Sequence, residues 1–271
     1  MIAACVAAVA AAPLVTSSAG AASATATAGR QSRDSRVAIA GGDIYVWSRH
    51  SSEDTGSGCT TAFVVRSIGT RARGMLTAGH CVSTLAGGPA YEVYQTERLS
   101  GDDTEPGAML GVVTASNYTV GDGGDSAFIQ FAPGISGRAS LFTGGVRSHS
   151  SMPVAGVAPV KAGEQVCYSG AATGEHCGFT VVGWPQTVAF SSPRAHGKIA
   201  ISNEWRATGA HCTSTKGDSG APVFIRRDGA AYAVGILSGG QAKAGACPFF
   251  FTPVTLALKT LGLRLVKSAA G

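Results

Sequence analysis

A serine lies in a glycine turn at residues 217–220, which read G-D-S-G. A serine hydroxyl is a weak nucleophile until a neighbouring base removes its proton. Glycine tolerates positive φ, so the backbone amides of Gly217 and Ser219 can point into one hollow and hold an oxyanion. The motif therefore predicts that Ser219 attacks a carbonyl carbon, although G-D-S-G alone also fits an ordinary glycine turn.

A base and an orienting carboxylate are available elsewhere in the chain. His80 follows the apolar run that ends at Leu76 and directly precedes Cys81, a setting in which a lone histidine is more often structural. Asp122 and Asp125 are both possible partners for its ring. Asp125 begins a run that looks buried, whereas Asp122 lies between glycines, and a carboxylate that orients histidine belongs at a buried strand edge. We therefore favour Asp125.

The composition points to a compact protein built of strands. The chain has 271 residues, of which 45% are hydrophobic and 14% charged, and 38 are glycine, about twice the usual share of ~7%. Enough apolar surface is present for a sizeable core, which argues against disorder, and the few charges argue against a coiled coil. The net charge of +5 is scattered, so we expect no nucleic-acid partner.

Short apolar runs recur about every ten residues and are separated by glycine, serine, aspartate and proline clusters. This spacing predicts an all-β fold, and the length favours two barrels over one. One helix is expected after Pro253, ending before Gly262. The predicted strands cover residues 37–45, 61–66, 75–78, 109–113, 127–131, 165–168, 179–182, 221–225, 231–237 and 249–254.

The first residues have the pattern of a secretory signal peptide. Residues 2–15 are apolar and rich in alanine, and small residues follow at 19–24. We expect a signal peptide within residues 1–28, cleaved between Ala21 and Ala28, then a short linker or pro-segment at 29–38. No basic residue precedes Ile2, so the true start is expected to lie upstream; the alternative is a disordered, alanine-rich leader. We expect no membrane partner after export.

The cysteine count agrees with export. Once Cys5 leaves with the leader, six cysteines remain, and an oxidising compartment favours three disulfides among 15 possible pairings. Three of these cysteines follow a histidine directly, so we considered zinc. The chain has no C-x-x-C or H-x-x-x-H spacing beside them, and we expect neither a metal nor a cofactor. The six are Cys59, Cys81, Cys167, Cys177, Cys212 and Cys247.

The order His80, Asp125, Ser219 resembles that of the chymotrypsin-like serine proteases, and more closely their bacterial branch of streptogrisins and α-lytic protease. The resemblance extends from about Ile39 to the C-terminus. The supporting stretches are residues 40–45, 167–170, 173–174, 177–178, 238–240 and 250–254.

The resemblance implies two six-stranded antiparallel Greek-key barrels with the active site between them and a short C-terminal helix. The N-terminal barrel, residues 39–150, supplies His80 and Asp125, and the C-terminal barrel, residues 151–271, supplies Ser219 and the specificity pocket. The implied disulfides are Cys59–Cys81, Cys167–Cys177 and Cys212–Cys247.

The implied activity is that of a secreted, monomeric serine endopeptidase. Ser219 attacks a polypeptide, His80 relays the proton, Asp125 orients His80, and the product is an acyl-enzyme. Activity should fall as His80 protonates below about pH 6–7. The alternative is a catalytically silent homologue that acts as a binding protein or adhesin. An α/β-hydrolase esterase is disfavoured because G-x-S-x-G is missing and the residue order differs.

Substrate contacts are expected along Ser238, Gly239 and Gly240, an edge strand that pairs with an extended peptide, although this stretch also fits a plain glycine turn. The pocket walls are expected at 209–213, at 238–240 and after Cys247. No acidic residue lies at the expected base, and Leu237 and Phe249 suggest an apolar lining. We predict cleavage after medium or large apolar residues, with an acidic preference through His211 as a minor alternative.

Two positions depart from the family pattern. Ala221 replaces the second glycine of G-D-S-G-G-P, and Tyr168 stands where the bacterial branch often has an arginine that neutralises the aspartate before the nucleophile. Asp218 therefore needs another partner, since a buried, unpaired carboxylate is costly. Three alternatives are an α-amino group released by cleavage near Arg36, a hydrogen bond from Tyr168, and a different arginine.

Overall fold

The structure, a computed structural model, describes residues 34–47, 57–82, 91–98, 104–118, 123–192, 197–211, 213–240 and 247–269. The predicted signal peptide and Asp122 lie outside these residues. No helix in the described ranges is long and apolar enough to cross a membrane.

The first sheet contains eight antiparallel strands in the order β17-β4-β5-β8-β7-β6-β2-β3 and curls into a barrel-like half. Six strands were expected in this half; the short β3 and the C-terminal β17 extend the sheet at its two edges. Its strands are β2 (Asp43–Trp47), β3 (Ser57–Thr60), β4 (Val64–Ser67), β5 (Arg73–Thr77), β6 (Glu92–Arg98), β7 (Thr104–Ser116), β8 (Ala127–Phe131) and β17 (Leu263–Leu265).

The second sheet closes on itself. Its β15 pairs with both β14 and β16, so the order β15-β14-β11-β12-β13-β16 returns to β15 as a six-stranded antiparallel barrel. Closure removes the exposed edges that an open sheet would leave. These strands are β11 (Gln165–Gly170), β12 (Gly174–Ser192), β13 (Gly197–Gly209), β14 (Pro222–Arg227), β15 (Ala230–Gly240) and β16 (Cys247–Pro253).

Three further strands extend the second sheet. β1 (Val37–Ala40) pairs in parallel with β9 (Ser136–Phe142), and β10 (Ser151–Val157) pairs with β9 and, in parallel, with β15. The two parallel pairings depart from the purely antiparallel arrangement that was expected. The all-β double-barrel architecture is otherwise confirmed.

The apolar core forms two clusters, because alternate side chains along a strand face opposite sides of the sheet. The larger one fills the first sheet and extends to side chains of β14 and β15 in the second. The larger cluster contains Phe63, Met75 and Ile129, and the second contains Val223, Phe249 and Phe251. The predicted helix is present as α1 (Val254–Thr260), directly after Pro253, whose missing N–H costs nothing at a helix start. Gly262 follows α1 with a φ of +63°.

Candidate active site

His80 and Asp125 meet because they lie at the same edge of the first sheet. β5 pairs antiparallel with β8, with Thr77 opposite Ala127. His80 comes three residues after Thr77, in the 3-10 turn Gly79–Cys81, and Asp125 comes two residues before Ala127. The end of β5 and the start of β8 therefore bring the two side chains together.

Asp125 holds His80 through two hydrogen bonds. The distance between His80 Nδ1 and Asp125 Oδ2 is 2.6 Å, and the His80 backbone amide donates to Oδ1 at 2.7 Å. The Asp125 side chain is fully buried, whereas that of His80 is 30% exposed. A carboxylate placed in this way fixes the ring orientation and the tautomer with hydrogen on Nδ1, which leaves Nε2 as the acceptor.

The Cys59–Cys81 disulfide lies between the histidine turn and the serine turn. Its Cys81 sulfur is 3.9 Å from His80 Nε2 and 3.9 Å from the Ser219 carbonyl oxygen. The Thr60 amide donates to the same Ser219 carbonyl at 2.8 Å. Ser219 is therefore attached to the β3 end of the first sheet, next to the Nε2 side of the imidazole.

The serine turn has the backbone geometry that glycine permits. Gly217 and Gly220 have φ values of +99° and +89°. The Gly217 carbonyl accepts from the Thr60 hydroxyl at 2.6 Å, and the Gly220 amide donates to the Leu237 carbonyl at 2.8 Å. Among the described residues, the amides of Gly217 and Ser219 donate to no protein acceptor. Two such amides in one turn are suitable donors for an oxyanion.

Asp218 is buried and is held by neutral donors. Its Oδ1 accepts from the amides of Ala172 and Thr173, both at 3.1 Å, and its Oδ2 accepts from the Thr173 hydroxyl at 2.9 Å and the Thr215 amide at 3.0 Å. Burial raises the pKa of Asp218, and these hydrogen bonds oppose the rise. Gly170 makes the cage possible, since a Cβ there would lie 1.9 Å from Oδ1.

The three alternatives for Asp218 can be compared with this cage. Tyr168 donates to the Thr213 hydroxyl at 2.7 Å and lies 3.4 Å from that of Thr173, so it reaches Asp218 only through Thr173. Burial raises the pKa of Tyr168 to about 12, which keeps the phenol neutral. No arginine of the described part forms an ion pair with Asp218. The remaining alternative is an α-amino group released by cleavage near Arg36. In this structure Val37, the residue after Arg36, lies in β1, and its amide donates to the Asp34 carbonyl at 2.9 Å.

Two of the implied disulfides are present, Cys59–Cys81 and Cys167–Cys177. Cys247 is also disulfide-bonded, whereas Cys212, its implied partner, lies outside the described residues. The sulfurs of Cys81 and Cys177 are therefore engaged in disulfides and are not available as zinc ligands.

The expected substrate-binding residues have different surroundings. Ser238 is buried, and Gly239 and Gly240 pair with Phe250 and Phe249 of β16. The Phe249 ring is buried among aromatic rings, 5.0 Å from Phe179 and 5.4 Å from Tyr168 between centroids. His211 is exposed. Ala221 is fully buried in the second core, so its methyl group is accommodated by packing.

Sequence reasoning missed several residues that surround the site. The Phe190 ring lies beside Gly239, where a Cβ would be 3.0 Å from Cε1, and Ser214 lies beside Gly240, where a Cβ would be 2.1 Å from Oγ. Thr252 accepts a hydrogen bond from the Asp125 amide at 2.7 Å, and Thr60 binds the Gly217 carbonyl. Thr60 could have been found from the sequence, because it directly follows Cys59, one of the predicted disulfide cysteines. No sequence pattern indicated Phe190.

Comparison with known proteins places the chain among proteases. The model of the Trypsin family matches residues 47–261. Protease A of Thermobifida fusca is 26% identical with a TM-score of 0.61, over 86% of this chain and 100% of that one. A Nocardiopsis protease is 26% identical with a TM-score of 0.58, over 84% and 98% of the two chains. The Cellulomonas bogoriensis chymotrypsin is 25% identical with a TM-score of 0.57, over 86% and 100%.

Among curated protein sequences, none matches the chain. The family match covers most of the sequence, and these solved structures belong to bacterial proteases, in agreement with the streptogrisin and α-lytic branch. The chain therefore belongs to the trypsin family of chymotrypsin-like serine proteases and is a serine endopeptidase.

Proposed function

We propose that the chain hydrolyses peptide bonds through the triad Ser219, His80 and Asp125. One observation carries this proposal: the buried Asp125 carboxylate binds His80 through Nδ1 and the amide, at 2.6 and 2.7 Å. The attachment of the Ser219 carbonyl to Thr60 supports it, because it brings the nucleophile turn to the Nε2 side of His80.

In the proposed reaction, Ser219 Oγ attacks the carbonyl carbon of the scissile bond while His80 Nε2 takes the hydroxyl proton. The amides of Gly217 and Ser219 stabilise the resulting oxyanion. The C–N bond then breaks, and His80 returns the proton to the leaving amine, which leaves an acyl group on Ser219. Water, deprotonated by His80, hydrolyses the ester and regenerates the serine.

Substrate recognition is proposed along Ser238, Gly239 and Gly240, the end of β15 that extends beyond its pairing with β14. On the side away from β16, an extended peptide can add there as a strand. The half-buried Phe190 ring beside Gly239 favours an apolar substrate side chain there. Ser214 beside Gly240 contributes a small, uncharged group to the pocket mouth.

We predict cleavage after medium or large apolar residues. The side chains beside Gly239 and Gly240 offer the aromatic carbon of Phe190 and the uncharged hydroxyl of Ser214, and burying an unpaired charge against such groups is costly. Cleavage-site profiling of the purified protein on a peptide mixture tests this expectation, with Ser219→Ala as the control. Cleavage mainly after Arg, Lys or Glu would contradict it.

The same experiment separates catalysis from the alternative of a silent binding protein. A catalytic chain cleaves the mixture and loses this activity in Ser219→Ala, whereas a silent homologue cleaves nothing in either form. The intact His80–Asp125 pair favours catalysis, since binding alone requires neither residue.

Export is part of the proposal. The disulfides Cys59–Cys81 and Cys167–Cys177 are typical of an oxidising compartment, which agrees with a leader in residues 1–28. We propose an extracellular monomer acting on polypeptides. The chain would pass from its first barrel to its second near residue 150, with β17 returning to the first sheet.

A further inference from the structure

Glu204 is a buried carboxyl on β13, and a single side chain separates it from the main chain of Asp125. Its relative exposure is 0%. Glu204 Oε1 accepts from the Thr252 hydroxyl at 2.5 Å, and the same Thr252 oxygen accepts from the Asp125 amide at 2.7 Å. Neither the glycine turn nor the histidine motif involves Glu204.

The contact between Thr252 and the Asp125 segment is tight. A Cβ on Gly124 would lie 2.6 Å from Thr252 Cγ2 and 2.9 Å from Thr252 Oγ1, so the threonine fits only against a residue without a side chain. Gly124 also has a φ of +77°. A change in the position of Thr252 would therefore be transmitted to Asp125.

The proton count gives this set of hydrogen bonds a direction. A threonine hydroxyl has one proton: Thr252 Oγ1 accepts from the Asp125 amide and donates its own proton to Glu204 Oε1. Glu204 thereby fixes the rotation of the hydroxyl. An apolar side chain at position 204 would leave the Thr252 proton without this acceptor, in a buried site where an unsatisfied donor is costly.

Two further polar atoms lie in the same interior region. Within the described part of the chain, neither Glu204 Oε2 nor Ser238 Oγ completes a hydrogen bond. The Ser238 side chain is nevertheless close enough to influence the Glu204 carboxyl. A proton on Oε2 would give this carboxyl a donor to direct at Ser238.

The carboxyls of Glu204 and Asp125 differ in the donors they receive. Asp125 accepts two hydrogen bonds from His80, whereas Glu204 accepts one from Thr252. Burial raises the pKa of Glu204 to about 8, and the negative charge of Asp125 adds to this rise. The hydroxyls of Thr252 and Ser238 lower it in part. At neutral pH, Glu204 is therefore mostly protonated.

We propose that Glu204 is a positioning residue for the Asp125–His80 pair: it fixes the Thr252 hydroxyl, and through it the Asp125 main chain. The proposal rests on the catalytic role proposed above for Asp125. Glu204 is then a second carboxyl in the protein interior behind the triad, and its protonated form maintains the active arrangement.

Ionisation of Glu204 would disrupt this arrangement. An ionised Glu204 would repel the Asp125 carboxylate strongly, because both groups are buried and water screens their charges little. Asp125 and His80 lie on the other side of Thr252 and are the ionisable groups that this change would affect. Activity should therefore fall at alkaline pH as Glu204 loses its proton.

The experiment measures kcat and KM from pH 6 to pH 10 for the wild type, Glu204→Gln and Glu204→Met. In the wild type, kcat/KM should fall about tenfold per pH unit above pH 8. Glutamine can accept the Thr252 proton but cannot ionise, so Glu204→Gln should lose the alkaline fall, at a cost of about two- to fivefold at pH 7. Methionine cannot accept that proton, and kcat should fall about 10–100-fold at every pH while KM changes little.

Glu164→Gln is the matched control, since this half-buried glutamate pairs with Arg227 on the surface and takes no part in the site. It should follow the wild-type pH profile. The proposal is overturned if Glu204→Gln keeps the alkaline fall, or if the wild type shows no such fall. If Glu204→Met does not fold, the Glu204→Gln profile still decides.

A second readout does not depend on activity. Because the folded state binds the Glu204 proton up to about pH 8 and an unfolded glutamate releases it near pH 4.5, this group makes stability fall as pH rises through that window. The wild-type Tm should therefore decrease between pH 5 and pH 8 more than that of Glu204→Gln. Equal slopes would contradict a protonated Glu204.

Ser219→Ala, measured in parallel, separates failure of the Glu204 proposal from failure of the triad. An active Ser219→Ala protein would refute the triad itself.

Discussion

Replacement of Asp125 by asparagine should lower kcat by about 10⁴, a figure that belongs to the chymotrypsin-type template rather than to this chain. Both Asp125 oxygens accept from His80, through Nδ1 at 2.6 Å and through the amide at 2.7 Å. An asparagine NH₂ cannot accept from Nδ1–H, so the imidazole would adopt the tautomer with hydrogen on Nε2. That nitrogen could then no longer take the proton of Ser219.

The measurement is kcat on a peptide substrate at pH 7, with Asp228→Asn as the control. Asp228 is exposed and has a φ of +50°, a conformation that asparagine also tolerates, so this change should leave kcat unaltered. An Asp125→Asn protein with kcat within tenfold of the wild type would show that Asp125 does not orient the base.

Replacement of Gly220 by alanine should lower activity by at least ~10² and destabilise the fold by about 3 kcal/mol or more. A Cβ at this position would lie 2.2 Å from the Thr60 carbonyl oxygen and 2.4 Å from Thr77 Oγ1. Backbone atoms cannot move aside as a flexible side chain can. The turn would have to move away from β3, and Ser219 would move with it.

Gly229→Ala separates the effect of the clash from that of the backbone conformation. Gly229 also has a positive φ, +74°, but a Cβ there would meet nothing within 4 Å. It should cost about 1 kcal/mol and leave kcat unchanged. The two variants are compared by chemical denaturation and by kcat. Equal effects would mean that Gly220 is needed for its φ alone and not for its contact with the first sheet.

The residues of the proposed triad could be chosen from the sequence because they follow or precede apolar runs that form strands. β8 was predicted with the correct bounds, and the placement of Asp125 just before it depended on that run. The disulfides came from the resemblance, since 15 pairings were open on the count alone. The glycines of the serine turn could be interpreted from the sequence, because glycine is the residue that most readily adopts the positive φ found at Gly217 and Gly220.

The partners of Asp218 could not be predicted in this way. Three of its four donors are the amides of Ala172, Thr173 and Thr215, and every residue except proline has such an amide. The sequence indicated only that an arginine was missing, and the three alternatives it offered were an α-amino group, a hydrogen bond from Tyr168 and a different arginine. A cage of main-chain donors depends on how a loop folds around the carboxylate, and the sequence of the loop contains no motif that predicts this folding.

Glu204 was missed because β13 was missed. Residues 202–204 are polar and interrupt the apolar pattern, and Asn203 has a φ of +63°, so the strand contains an irregularity that the alternation rule does not anticipate. β10 was missed for a different reason: residues 144–153 are rich in glycine and serine and end at Pro153, which favours a turn, but pairing with β9 and β15 makes Ser151–Val157 a strand. Such tertiary pairing overrides local preference.

Covalent labelling with a fluorophosphonate tests the central claim most directly, since the reagent phosphonylates a serine only where a base removes its proton and amides bind the new oxyanion. The account predicts one adduct, located at Ser219 by mass spectrometry of the digested protein, absent in Ser219→Ala and formed far more slowly in His80→Ala. Labelling of another residue, or none in a folded and purified chain, would contradict it.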